Sequence, residues 1–146
     1  MPHHRNQTEG LRSFFEQFQT LSAVADIDGL AAMHAPQIMF AGPNGPMIVT
    51  SADLLRAIPK RKQLLDLAGH RDTTLIECEE TPLTPRYSLV RTQWRWRFAP
   101  IGGEPAMLTL PSTYIVDLAG DQPHIVLYMN EQDITGLLRE RGMLPT

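Results

Sequence analysis

The stretch Tyr87–Phe98, Tyr-Ser-Leu-Val-Arg-Thr-Gln-Trp-Arg-Trp-Arg-Phe, sets Val90, Trp94, Trp96 and Phe98 on one face of an extended chain and Arg91, Gln93, Arg95 and Arg97 on the other. A strict period of two is the signature of a β-strand. An aromatic face backed by a charged one implies an antiparallel sheet whose two sides meet different environments, one covering a core or a pocket. The same period runs through the rest of the second half of the chain. It predicts strands over residues 73–80, 86–98, 107–118 and 124–132, separated by turn-rich segments at 82–85, 100–105 and 120–123. Connections this short favour antiparallel neighbours. Beyond them, Asp133 is placed to cap a brief helix over 134–141 that Gly142 and Pro145 stop.

Upstream of residue 73 the period is that of a helix. Leu11, Phe14, Phe15, Phe18 and Leu21 form one stripe, with Glu16, Gln17 and Gln19 left for the opposite side. Asp26 and Asp28 offer N-caps for a shorter helix holding Leu30, Ala31, Ala32 and Met33, which Pro36 is expected to close. Residues 38–41 and 47–49 flank Gly42-Pro43-Asn44-Gly45-Pro46, a cluster of turn formers that predicts a short hairpin. Thr50 or Ser51 then caps a helix with Leu54, Leu55 and Ile58 inward. Pro59 lacks a backbone donor and disfavours helical geometry at Ile58, so a break or kink is expected before a second helical piece over 60–67. Gly69 suits the left-handed conformation that ends a helix.

The order is thus helices, a four-strand meander and a terminal helix, within one domain spanning residues 1–146 in which 1–8 read as a flexible tail. A chain of this size buries roughly 70% of the surface its unfolded form exposes and needs no staple. The formal charge of −3, with both signs interspersed, provides no basic field for phosphate backbones, so nucleic-acid binding is not expected. A single cysteine, Cys78, excludes an internal disulfide and fits the cytoplasm. No apolar run approaches the roughly 20 residues that span a bilayer, and the first residues lack the apolar stretch of a signal peptide, so no membrane association is expected. His3, His4, His34, His70 and His124 include no pair at helical ligand spacing, and neither a phosphate-cradling loop nor a nucleophile elbow occurs. The reading is of a protein without metal or cofactor.

The order of elements resembles the nuclear transport factor 2-like superfamily. The resemblance covers nearly the whole chain and rests mainly on two stretches: the aromatic strand quoted above, and the ending Gln132-Asp133-Ile134-Thr135-Gly136-Leu137-Leu138-Arg139-Glu140-Arg141-Gly142-Met143-Leu144-Pro145. The latter is similar to the closing segment of the polyketide-cyclase-like (SnoaL-like) branch and its bacterial relatives. The resemblance implies an α+β, cone-shaped, cystatin-like roll, with N-terminal helices packed in a strongly curved antiparallel sheet. It also implies a pocket at the open end and homodimerisation through the outer sheet surface.

Steroid isomerases of that architecture use an acidic base after the second helix and tyrosine donors in the pocket. Here His34-Ala35-Pro36-Gln37 carries an amide where an acid commonly stands, and the first helix offers phenylalanines. Glutamine cannot abstract a proton at neutral pH, which removes the central group of a carboxylate-based isomerisation. Dehydratase-like and cyclase-like relatives combine histidine, aspartate and tyrosine around the cavity. Residues of those types here are His34, Tyr87, Tyr114, Tyr128 and Asn130, with Asp117 or Asp133 as acids. His34 and Tyr128 are the catalytic candidates, and Phe18, Trp94, Trp96, Tyr114, Tyr128 and Asn130 the ligand-binding ones.

Duller roles compete with each of these. His34 reads more readily as a polar group at a helix end than as an acid or base, the tyrosines as amphipathic lining, Asp133 as a cap and the tryptophans as core. Cys78, flanked by Glu77 and Glu79, is a small packing residue whose thiol pKa nearby anions would raise. Lys60-Arg61-Lys62 reads as a solvated face at a helix start. The expected function is binding of a small apolar or ring-bearing molecule, with cyclase, dehydratase or isomerase chemistry on it. A non-catalytic carrier or sensor, or an interaction module using the outer sheet face, are the alternatives.

Overall fold

The structure, a computed structural model, describes residues 7–145, with side chains from residue 10. Residues 7 and 8 of the expected tail begin the first helix; the rest of that tail, with His3 and His4, lies outside the described residues. The elements are α1 (Gln7–Ala23), α2 (Ile27–Ala32), β1 (His34–Gly42), β2 (Gly45–Thr50), α3 (Ser51–Leu67), β3 (His70–Pro82), β4 (Tyr87–Phe98), β5 (Ala106–Asp117), β6 (His124–Met129) and α4 (Ile134–Glu140). Asp26, Thr50 and Asp133 cap α2, α3 and α4, each accepting a hydrogen bond from a backbone N–H of the first turn.

All six strands form one sheet in the order β2-β1-β6-β5-β4-β3. The meander β3 to β6 is antiparallel as its short connections require, and so is the β1–β2 hairpin. The two units meet through β1 and β6, which run parallel. That join is the one departure from an all-antiparallel sheet. It follows from α3 carrying the chain from β2 across the layer to the far edge, so the meander returns to β1 rather than starting from it. Register shifts at His70/Asp72 and Leu75/Glu77 in β3, at Ile115/Val116 in β5 and at His34/Met39 in β1 mark bulges that bend the sheet around the helices.

Three local expectations are corrected. Helix α3 continues through Pro59 as one helix instead of two pieces. The proline deletes one internal hydrogen bond, which the long flanking segments of the same helix tolerate. Pro36 does not close a helix; it lies within β1, between His34 and Met39, where pairing with β6 is interrupted and its missing donor goes unused. Lys60, Arg61 and Lys62 accordingly occupy the middle of a helix.

The inner face of β4 is Ser88, Val90, Thr92, Trp94, Trp96 and Phe98, and the arginines lie outside. Two apolar clusters fill the interior. In one, Leu11, Phe14 and Phe15 of α1 meet Leu75, Cys78, Val90, Trp94, Tyr114, Val116 and Ile125 of the sheet. In the other, Leu65 and Ala68 of α3 and Ile134 and Leu138 of α4 meet Phe98, Leu108 and Leu110. Trp96, half-buried, packs against both. The Gln19 side-chain carbonyl accepts from the Leu75 N–H at 2.7 Å, tying α1 to β3 beside its bulge. Cys78 lies in the first cluster with its thiol pushed up to about 11. Burial is the first cause, and Glu80 and Glu16 add to it, rather than the flanking Glu77 and Glu79.

Candidate functional site

Strand β5 directs Leu108, Leu110, Ser112, Tyr114 and Val116 inward. Ser112 is the small member of that row, and Ala57 is its small counterpart on α3. Where large side chains are missing on two facing elements, close packing fails locally and room remains. A cavity of about 300 Å³ occupies that place, between the two apolar clusters. Its apolar wall is Phe40, Leu64, Trp96, Leu110, Tyr128 and Ile134. Its polar groups are Lys60 and Arg61 from α3, Ser112 from β5, Asn130 just past the end of β6, and Gln132, Asp133 and Thr135 at the start of α4.

These groups are held by specific contacts. Phe40 and Tyr128, paired across the parallel join, stack with centroids 5.5 Å apart and planes inclined by 17°. Tyr128 meets Tyr114 edge-on at 5.0 Å. The Ser112 hydroxyl donates to the Asn130 side-chain carbonyl at 2.7 Å, which turns the Asn130 amide nitrogen toward other partners. The Arg61 guanidinium lies over the Trp96 ring, 5.7 Å from its centroid. The Asp133 carboxylate is occupied by the N–H and hydroxyl of Thr135 as the cap of α4.

The sequence-derived candidates divide between this cavity and the core behind it. Trp96, Tyr128 and Asn130 line the cavity. Phe18, Trp94 and Tyr114 belong to the first apolar cluster, where Phe18 lies 6.1 Å from Trp94 and 6.2 Å from Tyr114. Burial pushes the Tyr114 hydroxyl well above the usual phenol range, with Tyr128 adding to the effect, so it stays protonated. His34 opens β1 and packs at 6.0 Å from Phe18. Its Nδ1–H donates to the Leu30 carbonyl at 2.7 Å, and burial holds it below the ordinary imidazole range. Tyr87 lies under Arg86 at the opposite end of β4, and Asp117 is held by Arg86 through two hydrogen bonds of 2.9 Å.

Lys60, Arg61, Ser112, Leu64 and Phe40 were not among the sequence candidates. Ser112 carried a readable signal, a lone small polar residue in the inward register between Leu110 and Tyr114. Lys60 and Arg61 carried none, because their facing depends on the unbroken course of α3.

No protein-family model matches the chain, and no curated protein matches it. Solved structures do. An NTF-2 like protein of unknown function from Shewanella oneidensis is 16% identical, with a TM-score of 0.65 over 86% of this chain and 98% of that one. The beta subunit of the benzoate 1,2-dioxygenase from Burkholderia mallei is 16% identical, with a TM-score of 0.69 over 94% and 96%. A protein of unknown function with a cystatin-like fold from Nostoc punctiforme is 12% identical, with a TM-score of 0.66 over 91% and 96%. At these identities the likeness establishes the fold and does not reach a branch within it. Among the described residues no helix is long and apolar enough to cross a membrane.

Proposed function

We propose that this chain, which has the nuclear transport factor 2-like fold, binds a small ring-bearing molecule in the cavity between α3, α4 and the inner sheet face. The observation that carries the reading is the lining itself: a concave space walled by Phe40, Leu64, Trp96, Leu110 and Tyr128 with a few polar groups contributed by α3, the sheet and the start of α4. Trp96, Tyr128 and Asn130 are the contacts we assign. Ring faces fixed by stacking lose little freedom on binding, which favours a flat partner. The one carboxylate on the lining, Asp133, is engaged as a helix cap, which favours holding over turnover.

Native mass spectrometry of the purified protein tests this, by identifying what it carries. Trp96→Ala is expected to weaken retention of that molecule by about tenfold or more, the loss typical of an aromatic anchor, while His34→Gln leaves it unchanged. Equal retention in wild type and Trp96→Ala would remove the cavity as the site. Recovery of a chemically altered molecule after incubation would convert the reading from carrier to enzyme.

We infer further that the outer sheet face joins two copies of the chain. Ile48, Met39, Leu127, Ile115 and Leu89 are paired in register across five adjacent strands, on the face opposite Tyr114 and Val116. They form a continuous apolar row, and Ile48 is 61% exposed in the single chain. Unpaired rows of this kind mark interaction surfaces. Sedimentation equilibrium is expected to give the mass of two chains, and Ile115→Lys, which puts a charge at the middle of the row, should shift the protein to single chains. A wild-type mass of one chain at micromolar concentration would exclude the dimer.

A further inference from the structure

We infer that the cavity selects an anion, taking a ring-bearing acid whose carboxylate lies against Arg61, Lys60 and the Asn130 amide while its ring packs on Trp96 and Tyr128. The inference rests on the binding role proposed above and specifies its ligand class. Helix α3 carries four cations, and they fall into two pairs. Arg56 is paired with Asp53, and Lys62 with Asp66 at 3.2 Å, each one turn away on the solvent side. Lys60 and Arg61 line the cavity, and neither makes an ion pair among the described residues. The sequence offers them no acid within a turn: positions 56, 57, 58, 63, 64 and 65 hold Arg, Ala, Ile, Gln, Leu and Leu.

Both side chains are exposed in the single chain and stand at the rim of the cavity. Stacking on Trp96 holds the Arg61 guanidinium at the cavity wall, and its field extends to Tyr114, where it opposes the upward shift caused by burial. The Asn130 carbonyl oxygen is taken by Ser112, which leaves the amide N–H groups as donors. The one carboxylate on the lining, Asp133, has both oxygens engaged by Thr135. What the lining lacks is a carboxylate free to pair with its two cations. A planar carboxylate supplies it, accepting from the guanidinium fork while the attached ring fills the apolar wall.

Two probes of nearly the same shape separate charge from ring: 2-naphthoate and its neutral counterpart 2-naphthamide, titrated calorimetrically into the 146-residue chain at low ionic strength. Wild type is expected to bind naphthoate about tenfold more tightly than naphthamide, as a charge-assisted contact gives. Arg61→Met, which keeps an apolar stem over Trp96, is expected to bring the two probes to within about twofold without weakening naphthamide. Lys62→Gln, on the solvent side, should leave the preference intact. Equal affinity of wild type for both probes, or a preference that survives Arg61→Met, overturns the anion site while leaving the cavity as a binding site. Failure of both probes to bind wild type overturns the anion site and the binding role together.

Discussion

Replacing Phe15 by alanine is expected to lower the free energy of unfolding by about 3–5 kcal/mol, the range for deleting a buried phenyl ring. Phe15 has no exposed surface and sits where α1 meets the sheet. Its ring lies 5.1 Å from Phe14 edge-on, 4.6 Å from Tyr114 and 6.2 Å from Phe18. Removing it leaves a void that α1 cannot close, because the helix is fixed on its flanks by Leu11 and by the Gln19 contact to Leu75. The void lies behind Tyr114, which in turn supports Tyr128 on the cavity wall. Urea denaturation followed by circular dichroism checks the value through the midpoint at unchanged slope. A loss below about 1 kcal/mol would mean that α1 does not form the centre of the core. Phe15→Leu, retaining most of the volume, is expected to cost less than half as much.

Gly69→Ala is expected to be the most damaging single-methyl change in the chain, at about 3 kcal/mol or more. Gly69 has φ of +81°, a conformation in which a side chain is strained. A Cβ there would also lie 2.6 Å from the carbonyl carbon and oxygen of Ala99 and from the Pro100 nitrogen. These are backbone atoms and cannot rotate away. They are also held in place, since the Ala99 N–H donates to the Gly69 carbonyl at 2.8 Å, closing the end of α3 onto the end of β4. Gly142, with φ of +74° and nothing within 4 Å of an added Cβ, supplies the comparison. Gly142→Ala carries the conformational strain alone, about 1 kcal/mol. Thermal unfolding of the two variants should differ accordingly, and equal losses would show that the close approach to Ala99 is relieved by movement.

The alternation in Tyr87–Phe98 was enough to orient β4, because a period of two leaves only two choices and the aromatic one must be buried. The stripe on α1, the caps at Asp26, Thr50 and Asp133, and the left-handed end at Gly69 were readable for the same kind of reason. Each depends on neighbours within a turn or two of the chain. Pro36 and Pro59 were misread because a proline forbids one backbone hydrogen bond, and whether that bond is needed is decided elsewhere. At Pro36 the irregular pairing of β1 with β6 leaves it unused, and at Pro59 the helix persists on either side.

The cavity was legible only in part. Trp96 and Tyr128 stand on strands, and Asn130 directly follows one, whose inward register the sequence itself fixes, although it did not separate them from Trp94 and Tyr114, which share that register. The difference between wall and core lies in what faces each strand. Phe18 of α1 closes over Trp94 and Tyr114, while over Trp96 stands only the Arg61 guanidinium, with the small Ala57 beside it on the cavity lining.

The sequence by itself determined the stripe of α1, the strands of the meander with the inward face of β4, the helix caps and the end of α3, since these follow from periodicity and from the conformational limits of glycine and the capping residues. The tertiary structure alone decided the parallel join of β1 to β6, the gap beside Ser112 and the placing of Lys60 and Arg61 at its rim. Those features arise from segments far apart in the chain packing against one another, and no local pattern encodes which residue will be left facing an empty space.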